Sequence, residues 1–156
     1  VANDGTSSSR LWSAKTGDQI VRDITDLIKQ INVTDTLGIE RPNTLLLPNK
    51  QYMDVATRRL DTNLSLTILD YLKTQLGVLG ITDIEPLIEL EGIGAGSTDV
   101  FMLYDRSPNK VNLNIPLPFE QFAVQQEYLQ YKVPCHSRIG GVQFIKPKSA
   151  IRGYGI

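Results

Sequence analysis

Residues 12–32 carry the clearest periodic pattern in the chain, with Ile20, Ile24, Leu27, Ile28 and Ile31 recurring at helical spacing as one apolar stripe. Thr16 with Gln19 three residues later reads as a capping box, and Asp18 suits the positive end of the helix dipole. Asp18, Arg22 and Asp26 stand four apart on the polar side, which marks that face as solvent. Thr44 to Leu47 is a short continuous apolar run, the pattern of a buried strand. Pro48-Asn49 then opens a second helix through about Arg58, with Tyr52, Val55 and Ala56 as its inner face, until Asp61-Thr62-Asn63 breaks it. A third helix is expected over 65–76, capped by Asn63 or Ser65, with Ile68, Leu69, Leu72 and Leu76 inward and Gly77 as its stop.

From Ile81 onward the pattern turns to β. Residues 84–90 read as one strand interrupted by Pro86, and Val100 to Tyr104 as a second. Val111, Leu113 and Ile115 alternate with Asn112 and Asn114 as a third, which Pro116-Leu117-Pro118 ends because proline has no N–H for an interior ladder. Near the C-terminus Leu129, Tyr131, Val133 and Cys135 fall on one face of an extended run, with Gln130, Lys132 and Pro134 on the other. A β-branched and aromatic run over 142–145 follows, and Gly140-Gly141 supplies the positive φ of a hairpin reversal, so 128–145 reads as one hairpin. Lysines and prolines along it suit a sheet edge that must pair only with an intended partner. Helices first and strands second, without βαβ alternation, predict an α+β fold. The helices should pack on a sheet containing 44–47, 84–90 and 100–104.

Composition narrows the picture little. The chain has 156 residues, enough to bury ~70% of its unfolded surface without a disulfide staple. A formal net charge of −1 argues against a general nucleic-acid binder, and Arg58-Arg59 alone read as a solvated helix face. The single cysteine excludes an internal disulfide framework and fits synthesis in a reducing cytoplasm. No apolar run approaches the ~20 residues of a membrane span. Val1 to Arg10 is polar, rich in serine and without hydrophobic period, and reads as a flexible linker within a longer protein.

The candidate chemistry is thin. Gly92-Ile93-Gly94-Ala95-Gly96 resembles a nucleotide loop only superficially, since Ser97-Thr98-Asp99 and a strand follow where a helix is needed. Cys135 and His136 are the only thiol and the only imidazole, and adjacency on a strand points them to opposite faces, so neither can activate the other. Together they fall short of a four-ligand zinc site. Glu89 and Glu91 share one strand face with Glu85 behind them, a spacing that could serve paired-carboxylate hydrolysis but that any strand with one wet face also produces. The reading assigns no catalytic, cofactor-binding or metal-binding residue and expects no enzyme.

One resemblance carries the functional expectation. The pieces, in order, are a helix after a Gly/Ser segment, Asn43-Thr44-Leu45-Leu46-Leu47-Pro48 with Tyr52, Gly92 to Gly96, and Tyr104-Asp105 before Pro108-Asn109-Lys110. Then come Ile115-Pro116-Leu117-Pro118-Phe119, Tyr131-Lys132-Val133-Pro134-Cys135-His136 and Gly140-Gly141-Val142. From about Arg10 to the end this order resembles the C-terminal part of the tailed-bacteriophage major capsid protein family, in the branch of uncharacterised phage surface proteins. The resemblance implies a virion shell subunit made in the host bacterial cytoplasm. Its partners would be copies of itself, as pentamers and hexamers when full length, with no membrane and no specific nucleic acid. It also implies a division into a linker at 1–10, an axial-type domain at 11–118, and a peripheral-domain hairpin and C-terminus at 119–156. The hairpin's apolar side chains would be partly exposed or covered by another copy. The N-terminal arm, extended loop and long spine helix of that family have no counterpart in these residues. An encapsulating nanocompartment shell of the same fold, or a small ligand-binding or adaptor domain, are the alternatives.

Overall fold

The computed structural model describes residues 1–61 and 65–156. They form two compact units: residues 1–106 with 147–156, and the inserted residues 107–146. The boundary therefore falls at Ser107, not at 119, and the last ten residues return to the first unit.

In the first unit the expected helix is α1, Gly17–Lys29, and it continues as a wide π turn over Gln30–Asp35. The widening has a visible cause, because the Thr36 amide and hydroxyl both donate to Ile31 O, at 3.2 and 2.7 Å. Trp12 lies outside the helix, in a short 3₁₀ turn. At the N-terminus Thr16 N–H donates to Gln19 Oε1 at 2.8 Å, the expected half of a capping box. Strand β1 (Thr44–Leu47) and helix α2 (Asn49–Thr57) follow as expected. Helix α3 spans Ile68–Val78, later than expected, and Thr67 caps it by accepting Asp70 N–H at 3.2 Å. Ser65 is not the cap, and the Asn63 alternative lies outside the described residues.

Among the described residues the first unit holds a four-stranded mixed sheet, in the order β10 (Ala150–Tyr154), β3 (Val100–Tyr104), β1, β2 (Asp83–Pro86). Strand β2 (Asp83–Pro86) runs parallel to β1, while β3 (Val100–Tyr104) is antiparallel to it. The expected strand over 84–90 is thus cut at Pro86, and Ile88–Leu90 forms a 3₁₀ turn instead. Pro86 lacks the N–H that would extend the ladder. Strand β10 (Ala150–Tyr154), which the sequence pattern did not announce, completes the edge against β3. Gly153 lets it approach closely, since a Cβ there would meet the Phe101 ring and Leu27. One core joins the stripe of α1, Leu45, Leu47, Val55, the apolar face of α3 and Phe101. Trp12 packs on Phe101 with ring centroids 5.2 Å apart.

Residues 1–10 are packed into this unit rather than set apart as a linker. Lys15 is buried, and its Nζ donates to Asp23 Oδ2 at 2.6 Å, to Ala2 O at 2.9 Å, and pairs with Asp4 at 2.9 Å. Trp12 Nε1 donates to Asp23 Oδ2 at 3.2 Å, and Arg22 pairs with Asp4. The supposedly solvated face of α1 therefore supplies Arg22 to an ion network. Arg58, expected on an open helix face, ends α2 and donates to Trp12 O at 3.1 Å and to Lys15 O. Arg59 is exposed and bridges Thr67.

The second unit is a single antiparallel ribbon built as three nested ladders. Strand β4 (Val111–Asn114) pairs with β9 (Gly141–Phe144), β5 (Leu117–Gln121) with β8 (Cys135–Arg138), and β6 (Gln125–Glu127) with β7 (Gln130–Lys132). Gly140 N→Asn114 O at 2.8 Å and Phe122 N→Pro134 O at 3.0 Å carry the pairing across the breaks. The reversal lies at Tyr128-Leu129, not at Gly140-Gly141. Gly141, at φ +90, passes the chain from one ladder to the next, and Tyr128 adopts φ +57 at the tip. Proline sets the interruptions: Pro118 falls within the register shift between Leu117 and Glu120, where one strand carries an extra residue.

Candidate assembly surfaces

The alternation along β4 and β9 places Val111, Leu113, Val142 and Phe144 on one face of the ribbon, with Asn112 and Gln143 on the other. In a compact domain the apolar face would be covered. Here Leu113 is 52% and Val142 63% exposed, and at the tip Tyr128 and Leu129 stand 93% and 99% exposed. Among the described residues none between Ser107 and Lys146 is buried. A two-stranded ribbon is marginal in water by itself, so these side chains mark a surface suited to a partner.

Within the first unit, hydrogen bonds organise the residues around Asn43. Asn43 Nδ2 donates to Asp105 Oδ1 at 3.2 Å, while its Oδ1 accepts Arg106 N–H at 2.8 Å. Asp105 N–H also donates to Ser149 O at 3.2 Å. These bonds hold the end of β3 beside the start of β10, where the chain leaves the first unit and re-enters it. Asn43 opens the Asn-Thr-Leu-Leu-Leu-Pro motif, and its clamp was not evident from sequence because Asp105 is 62 residues away.

The residues considered for chemistry do not converge. Glu85, in β2, pairs with Arg106 at 3.0 Å, whereas Glu89 lies in the 3₁₀ turn and Glu91 just after it, so the shared strand face does not form. Cys135 and His136 do sit adjacent on β8, where alternation separates their side chains. His136 stacks on Phe122 with centroids 4.8 Å apart and lies 3.5 Å from Glu120, while the Cys135 thiol approaches Val133 O at 3.6 Å. Gly92 to Gly96 form a tight loop between the 3₁₀ turn and β3. Asp99 Oδ1 accepts Gly92 N–H at 2.9 Å, and Gly94 N–H donates to Thr98 O at 2.8 Å. No helix follows whose N-terminus could meet a phosphate.

The first unit also carries an open groove of about 630 Å³, lined by residues that include Leu11, Trp12, Gln51, Met53 and Asp99. Gln51 Nε2 donates to Asp99 Oδ2 at 2.6 Å. That bond ties α2 to the glycine loop, so Asp99 serves the fold on both of its oxygens. Among the described residues no group of three His, Cys, Asp or Glu could hold a metal ion, and no helix is long and apolar enough to cross a membrane.

A family model described as major capsid protein matches residues 1–156. The fold superposes on a chain from the capsid of Myoviridae phage XM1 with a TM-score of 0.77 at 19% identity. That match takes in 92% of this chain and 48% of the other, so the sequence spans about half the length of its structural relative. No curated protein matches the sequence.

Proposed function

Because the chain belongs to the major capsid protein family, we propose that it is the C-terminal part of the shell subunit of a tailed bacteriophage or prophage, and that it works by geometry rather than catalysis. The observation that carries this reading is the capsid fold combined with a ribbon that has no core of its own. A shell subunit repeats modest contacts around symmetry axes, and its apolar faces are completed by neighbours. On this reading the first unit is the axial-type domain and the ribbon belongs to the peripheral domain. The partners are further copies, gathered as pentamers and hexamers, with no enzymatic activity and no specific nucleic-acid binding by these residues. Synthesis in the bacterial cytoplasm and residence in the virion follow.

Expression of the full-length product and negative-stain imaging test the reading. Closed shells with fivefold and sixfold clusters are the expected result. A product that stays monomeric at high concentration, across a range of salt, would overturn it.

A further inference from the structure

Charge is unevenly divided between the two units, and the division has a direction. From Thr74 to Asp105 the chain carries six acidic residues and no lysine or arginine. The ribbon, 107–146, carries four cations (Lys110, Lys132, Arg138 and Lys146) against the two carboxylates Glu120 and Glu127. Within the acidic stretch Glu89 and Glu91 are exposed, and Ile88 and Ile93 beside them are 62% and 54% exposed. Among the described residues neither Glu89 nor Glu91 has an ion-pair partner, whereas Glu85 already holds Arg106. One surface is therefore apolar and acidic, and the other apolar and basic.

We propose that the basic ribbon of one copy docks on the acidic strip around Glu89 and Glu91 of a second copy. The inference rests on the shell-subunit reading and adds the identity of the two surfaces that meet. Ile88 and Ile93 would cover part of the face formed by Val111, Leu113, Val142 and Phe144, while the strip's carboxylates meet the ribbon's cations. Charge complementarity selects a second copy over an unrelated apolar partner, because opposite potentials steer encounter and fix register. At the base of the ribbon, burial and then the charge of Lys146 hold Lys110 below the ordinary lysine range. A facing carboxylate would relieve that repulsion. Repeated head to tail, such a contact closes into a ring when the rotation allows.

The test is a zero-length carbodiimide cross-link on the full chain, with ¹⁵N-labelled and unlabelled copies mixed in equal amounts. Peptides joining Lys110 or Lys146, which flank the docked face, to Glu89 or Glu91 should appear with mixed isotopes. The Lys132–Glu127 pair within one ribbon provides the same-isotope control. Cross-links are scored whether or not shells form, so failure of the docking and failure of the shell reading remain distinct. The double variants Glu89→Lys/Glu91→Lys and Lys110→Glu/Lys146→Glu should each weaken association of the copies at least tenfold in sedimentation velocity, and combining them should restore it. Absence of mixed-isotope peptides, or peptides joining these residues only within one copy, overturns the proposal. So does a basic ribbon protected by added nucleic acid while its links to the strip are missing, or a combined variant that is not rescued.

Discussion

The two units use the same alphabet to opposite ends. In the first, apolar side chains from three helices and a mixed sheet close on one another around Trp12 and Phe101, and even a lysine is sealed inside. In the second, a ribbon with a regular apolar face leaves that face open. The helices and sheet can cover each other because they stack as layers, whereas two strands have no second layer to supply. The difference teaches that periodicity announces an apolar face and says nothing about which molecule covers it.

The largest test of the contrast is the buried ion network. Asp23→Ala should strip Lys15 of its closest partner and destabilise the first unit by about 3–5 kcal/mol, since a buried charge left unpaired is costly. Denaturant unfolding would measure it, and a loss under 1 kcal/mol would remove this network from the core. Leu103→Ala, at a fully buried position in β3, should cost about 2–5 kcal/mol. Leu129→Ala at the ribbon tip should stay within about 0.5 kcal/mol in the unassembled chain. Equal effects at both positions would erase the comparison.

Gly153→Ala should cost about 1–3 kcal/mol, because the added methyl must displace the Phe101 ring or Leu27. Thermal unfolding with Gly155→Ala as reference would separate crowding at Gly153 from backbone strain, since Gly155 has φ +86. At the ribbon tip Tyr128→Gly should slow local opening by relieving a left-handed tyrosine worth about 1–2 kcal/mol. Hydrogen exchange at Gln130 and Lys132, whose residues form the hydrogen-bonded pairs of the tip ladder, reads this directly, and faster exchange in the variant would contradict it.

The smallest expected effect is on pH. The ammonium of Lys110 is disfavoured in the fold by burial and by Lys146. Between that lowered value and the ordinary lysine range, the unfolded chain therefore holds more of the proton. Ribbon stability should rise slightly as pH climbs through this alkaline window, and fall again as pH drops. Lys110→Met should flatten the trend in circular-dichroism unfolding curves. An opposite slope would place the repulsion elsewhere.

Much of the first unit was legible as pattern. The stripe Ile20, Ile24, Ile28 and Ile31, the run Thr44–Leu47 and the inner face of α3 all depend on local period, and period survives folding. The order of motifs carried the family, which a pass for catalytic groups could not have supplied. The reversal of the ribbon was misread for a physical reason. Gly140-Gly141 has the composition of a hairpin turn but serves as a joint between ladders, while the true turn uses Tyr128 in a conformation that glycine usually occupies. Pairing partners, not turn residues, decided which reversal formed.

What the sequence determined by itself was therefore the α+β class, the helices and most of the central strands, and membership in a capsid family, because each rests on neighbours along the chain or on their order. Tertiary structure alone decided that residues 1–10 are tied to α1 through Lys15 and Asp23, that Asn43 reaches Asp105, and that β10 completes the sheet. It also decided that residues 107–146 form one insertion. Each of these joins groups far apart in sequence, and their pairing depends on desolvation, charge and hydrogen-bond geometry that exist only once the chain has closed on itself.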